Sequence, residues 1–121
     1  MMTRGFWWLA VATMVLAIAG TAFAQPSDDE RARAHFLAGT SYFESARYAE
    51  AHDQFLEAYR LSHRVELLVN ASTAAERNLD FAEAILLVDR FLNEAPENHP
   101  ARTMQTDRRA RLVELAARST P

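Results

Sequence analysis

The stretches "YAEAHDQFLEAY", Tyr48–Tyr59, and "FAEAILLVDRFL", Phe81–Leu92, carry the fold of this chain. A shift of 33 residues lays Tyr48 on Phe81, Ala49 on Ala82, Glu50 on Glu83 and Ala51 on Ala84, then Phe55 on Val88 and Ala58 on Phe91. The same shift sets Ala38 on Ala71 and Gly39 on Ser72. A run of matched residues with small aligned on small points to one structural unit used twice.

Working outward, the punctuation divides the chain into five segments of helical period. "SDDE" supplies a capping box, Ser27 as N-cap with Glu30 three residues on, and starts a helix expected over about Asp28 to Ala46. Along it Ala32, His35, Gly39, Tyr42 and Ala46 fall on one stripe of a 3.6-residue period. A second helix is expected over Tyr48 to about Ser62, with Tyr48, Ala51, Phe55, Ala58 and Tyr59 as its stripe. The short connection forces an antiparallel hairpin. A third helix over about Val65 to Asn78 puts Leu68, Ser72, Ala75 and Leu79 inward, with Asn78 suited to the left-handed helix end. The fourth, Phe81 to Ala95, has the widest apolar face, broadened by Leu86 and Leu87. "APENHP" ends it and opens a fifth, about Pro100 to Arg118, because proline cannot continue a helix interior yet suits a first turn. That last helix is polar except for Ala101, Met104, Leu112, Val113, Leu115 and Ala116, and its Arg108, Arg109 and Arg111 read as a solvated face. The fold class is therefore all-α: antiparallel hairpins stacked as a short solenoid, with a terminal helix.

This pattern resembles the tetratricopeptide repeat, a helix-turn-helix unit of about 34 residues. In the first copy Gly39, Tyr42, Tyr48, Ala51, Phe55 and Ala58 stand at that family's small and aromatic positions. The second copy is one residue shorter and keeps softened versions at Ser72, Ala75, Phe81, Ala84, Val88 and Pro96, with Phe91 replacing a small residue. The resemblance covers Arg31 to Pro96 and implies two repeats, residues 31–64 and 65–97, followed by a capping helix and tail at 98–121. Roughly three such units are usually needed for stability, so a domain that is marginal alone, or completed by a partner or by a second copy of itself, is expected.

The N-terminus has a different character. Arg4 precedes an apolar run, Phe6 to Ala19, and Ala22-Phe23-Ala24 gives a small-x-small site, so a signal peptide over residues 1–24 is expected, cleaved between Ala24 and Gln25. Residues 25–30 form a short lead-in. Gly5 to Ala24 also has the ~20 residues of a membrane span, and retention as an anchor for a structural subunit is the alternative. The chain has no cysteine, which excludes a lipoprotein anchor and leaves an exported domain held by packing alone. Every basic residue is arginine. The leader style, that arginine-only set and the resemblance together point to the bacterial envelope, periplasmic or secreted. Without the leader there are 12 basic and 16 acidic residues, a net charge of −4 that gives no electrostatic case for nucleic acid; a membrane enters only if the leader is retained.

No catalytic constellation is present: there is no thiol, no His-Glu-x-x-His and no glycine-rich phosphate loop. His35 and His52 are offset by roughly 9 Å along their hairpin and do not converge, while His63 and His99 fall at helix ends. No cofactor or metal is implied, and Asn70-Ala71-Ser72 lies inside a helix, unsuited to glycosylation. What remains is surface. The resemblance implies a groove lined by the first helix of each hairpin, binding a peptide or partner helix. That face carries Arg33, Phe36, Thr40, Phe43 and Glu44 on the first helix, and Glu66, Val69, Asn70, Thr73, Glu76 and Arg77 on the third. Packing of Phe36 and Phe43 beneath neighbouring segments is the competing expectation. The lysine-rich carboxylate clamp of some members is not present.

Overall fold

The computed structural model describes Gly20 and residues 24–121, so the signal peptide expected over residues 1–24 lies almost wholly outside the described residues. Five helices follow in order: α1 Asp28–Glu44, α2 Tyr48–Ser62, α3 Glu66–Arg77, α4 Phe81–Glu94 and α5 Arg102–Ser119. There is no strand among the described residues. Each helix packs on the next in sequence, α1 with α2, α2 with α3, α3 with α4 and α4 with α5, which is a short solenoid of two hairpins and a terminal helix.

The capping box forms at Ser27, whose Oγ accepts from Glu30 N while Glu30 accepts from Ser27 N. The two hairpins then close with the same turn, 33 residues apart. In the first, Ala46 N donates to Phe43 O and Arg47 N to Tyr42 O; in the second, Leu79 N donates to Glu76 O and Asp80 N to Ala75 O. These are paired Schellman bonds around one left-handed residue, Ala46 at φ 58° and Leu79 at φ 61°. Two sequence expectations are corrected here. Ala46 and Leu79 leave the core stripe for the turn and are exposed, and the left-handed position belongs to Leu79, Asn78 keeping φ −82°. Bond register decides this, since the residue that reverses the chain is the one after the last helical carbonyl, whatever its side chain prefers. α4 stops at Ala95, which is extended because the Pro96 ring disfavours helical geometry in the residue before it.

The core is thin and rich in alanine. Ala51, Phe55, Ala58, Leu67, Leu68, Ala71, Ala74, Leu87, Phe91 and Ala95 form one cluster where α2, α3 and α4 meet, and Ala75, Ala84, Val88 and Leu112 form a second beneath α5. Small residues let helix axes approach, and the aromatic rings fill what is left. The two hairpins solve this differently. In the first, Gly39 lies flat on the Phe55 ring, where a Cβ would sit 2.8 Å from two ring carbons. In the second, the ring gives way to Val88, and the room admits Ser72, whose Oγ donates to Ala84 O at 2.8 Å. Tyr42, Tyr48 and Phe81 are half-buried, and Pro96 is exposed.

α5 is held by polar groups more than its apolar residues implied. Of those apolar residues only Leu112 is buried; Met104, Val113 and Leu115 are exposed. The buried anchors are Gln105 and Arg108, and Arg108 donates to Ser72 Oγ at 3.0 Å and Gln105 Oε1 at 3.2 Å and pairs with Glu76. Arg109 pairs with Asp89 of α4. The arginine cluster is therefore not one solvated face: Arg108 points into α3, Arg109 is tied to α4, and Arg111 is exposed with no ion-pair partner among the described residues. Thr103, Thr106, Asp107, Ala110, Glu114 and Ala117 are exposed and polar or small, and they share the outer surface of α5 with the exposed Met104, Val113 and Leu115.

Candidate interaction groove

α1 and α3 are the first helices of their hairpins, and a cavity of about 820 Å³ opens between their N-terminal halves. α1 contributes Asp29, Glu30, Ala32, Arg33, Phe36 and Leu37. Ser62 and Arg64 come from the α2–α3 connection, and Glu66, Leu67 and Asn70 from α3. Of the residues expected on this face, four line the cavity: Arg33, Phe36, Glu66 and Asn70.

The others, Val69 apart, lie towards the C-terminal ends of the same helices. There Phe43 is half-buried on the core, edge to face with Tyr48 at 5.2 Å, and the Arg77 guanidinium lies 6.0 Å from its ring. Val69 also packs against the core, and Glu76 pairs with Arg108. The Thr40 and Thr73 hydroxyls bond back to Phe36 O and Val69 O of their own helices, and Glu44 is exposed. The face is thus open at one end and packed at the other, and the two phenylalanines separate: Phe36 rims the cavity, 39% exposed and 6.0 Å from the Phe55 ring, while Phe43 is a packing residue.

Electrostatically the rim is uneven. Glu30 is engaged in the capping box, and Glu66 accepts from His99 Nε2 at 3.1 Å, a bond that holds its carboxyl below the usual carboxylate range. The other ring nitrogen, His99 Nδ1, accepts from Ala101 N, which fixes the tautomer that donates to Glu66. Asp29, Arg33 and the Arg64 guanidinium have no ion-pair partner among the described residues. Beside them Leu37 is 56% exposed. Leu37 and Arg64 were not singled out from sequence. Leu37 gave a signal, an apolar residue on the polar side of its helix, whereas Arg64 lies in a connection whose direction periodicity does not set.

Elsewhere the histidines have separate partners. His35 donates from Nδ1 to Gln54 Oε1 at 2.7 Å, His63 ends α2 in the left-handed conformation, and His52 lies between carboxylates on α2 and α4. No group of three metal-ligating side chains exists among the described residues, and no helix among them is long and apolar enough to cross a membrane. Compared with known protein families and with curated proteins, the chain matches none.

Proposed function

We propose that this protein is a non-catalytic, tetratricopeptide-type interaction module, exported by its leader to a bacterial envelope, which receives a peptide or partner helix between α1 and α3. One observation carries the proposal. The cavity brings together two exposed apolar side chains, Phe36 and Leu37, and two arginines, Arg33 and Arg64, that have no ion-pair partner within the described fold. Apolar anchors supply affinity in such a site, and charges and amides, here with Asn70, fix register. The family assignment is supported by the 33-residue offset, which runs from the side chains of α2 and α4 to the hydrogen bonds of both turns. Affinity capture from an envelope extract tests the function. Phe36→Ala should abolish retention of the captured protein while Leu86→Ala, on the opposite face, leaves it intact. Equal retention by both variants would remove the cavity from the account.

A further inference from the structure

On the wall of the stack, away from the cavity, two side-chain links tie α2 of the first hairpin to α4 of the second. Tyr59 Oη donates to Glu94 Oε2 at 2.6 Å, and its phenol is pushed further above the neutral range by that bond and by burial. It keeps its proton throughout physiological pH. The other link is His52, whose Nε2 lies 3.0 Å from Glu83 Oε1 of α4 while its Nδ1 lies 2.9 Å from Asp53 Oδ1.

An imidazole with a carboxylate oxygen on each nitrogen is fully satisfied in only one state. As imidazolium it donates twice; as neutral imidazole one nitrogen turns a lone pair towards a negative oxygen. Asp53, 77% exposed at its side chain, can swing into water, so the neutral form keeps a single bond, an N–H donated to the Glu83 carboxylate. Protonation adds the attraction of opposite charges to that bond and restores a second donor for Asp53. The charged groups acting on His52 are Glu83 from α4 and Asp53 from α2 itself; α1 and α3 contribute none among the described residues.

We propose that His52 is a pH-responsive clasp between the two hairpins, which tightens their junction on acidification. Burial pulls the His52 pKa down, but the bonds to Glu83 and Asp53, with the charges behind them, outweigh it and leave it raised. A histidine with a raised folded pKa contributes stability that is fully present below its unfolded value, about 6.5, and is lost as pH rises through the folded value. The clasp therefore loosens over the interval that starts near that ordinary value and runs upward, independently of what occupies the cavity.

The test is nitrogen-detected NMR titration of His52 in the full chain, together with urea unfolding at about pH 5.5 and about pH 8. The unfolding constant of the unmodified protein should be several-fold smaller at the acidic pH than its other groups alone would give. His52→Gln and Glu83→Gln should each remove that increment, and Asp53→Asn should remove less, because only Glu83 reaches across the hairpins. A His52 that titrates at or below the ordinary value overturns the proposal, even if a variant fails to fold. An unchanged pH slope in His52→Gln does the same.

Discussion

Gly39→Ala is an unusual helix substitution, since propensity and packing pull it in opposite directions. Replacing a helix-interior glycine with alanine favours the folded state by about 1 kcal/mol at an open site. Here the new Cβ would meet Phe55 Cδ1 and Cε1 at 2.8 Å and Cγ at 3.2 Å, and must push the ring by about 0.6 Å to reach ordinary contact. Phe55 is 5% exposed and lies within the core cluster where α2, α3 and α4 meet, so the ring has little room to retreat. Overpacking of this kind costs about 1–3 kcal/mol, and the net effect should be a loss of about 1 kcal/mol. Removing the ring reverses the sign. Phe55→Ala alone should cost about 3–5 kcal/mol, and on that background Gly39→Ala should stabilise by about 1 kcal/mol, because the methyl then meets no ring. The four proteins form a cycle whose coupling energy should be about 1–3 kcal/mol, read by urea unfolding with far-UV circular dichroism. A stabilising osmolyte added equally to all four keeps the weakest measurable. Stabilisation of the otherwise unmodified protein by Gly39→Ala, with no coupling to Phe55, would refute the close approach at the centre of the first hairpin.

Further outcomes follow from the turns and from the docking of α5. Leu79 is exposed and left-handed, so Leu79→Asn relieves backbone strain without losing packing and should raise stability by about 0.5–1 kcal/mol in the same urea assay. Arg108→Ala removes the cation that Glu76 and Ser72 share beneath α5 and should cost about 2 kcal/mol, less than a fully buried pair because Glu76 is part-exposed. Arg108→Met, which keeps the packed stem, should cost less, and trypsin should cut within α5 faster in the alanine variant. His99→Gln should let the Glu66 pKa rise towards the ordinary carboxylate value, because the His99 bond is the main cause of its depression. A depressed carboxylate contributes stability that is present above its unfolded pKa and is lost as pH falls through the folded one. The variant should therefore lose less stability on acidification from neutral pH than the unmodified protein, and carboxyl-detected NMR titration follows the group directly.

The helices and their order were legible in the sequence because each stripe has a 3.6-residue period and each stop has a local cause. Ser27 with Glu30, the short Ser45-Ala46-Arg47 connection and the Ala95-Pro96 pair are all strictly local signals. Side-chain character misled where hydrogen-bond register decides, at Ala46 and Leu79. It misled again on α5, where Arg108 read as part of a solvated face yet is buried and docks the helix together with Gln105. Periodicity marks which face turns inward, but it does not show that a buried arginine finds a serine and a glutamate 36 and 32 residues earlier. The groove was legible in part for the same reason. Its helices and face follow from the wheel, but the split between an open N-terminal end at Phe36 and a packed C-terminal end at Phe43 depends on Arg77 and Tyr48, which meet Phe43 only in three dimensions.

The most direct test of the cavity as the binding surface is site-specific photocrosslinking in the native envelope. A benzoylphenylalanine at position 36 should form one discrete adduct with a protein partner, and the same probe at position 86 on the far face of α4 should form none. Binding of that partner, once purified, should weaken by about 30-fold or more in Phe36→Ala, as expected for a central apolar anchor. Adducts that form equally from both positions, or a partner that binds Phe36→Ala unchanged, would contradict the account.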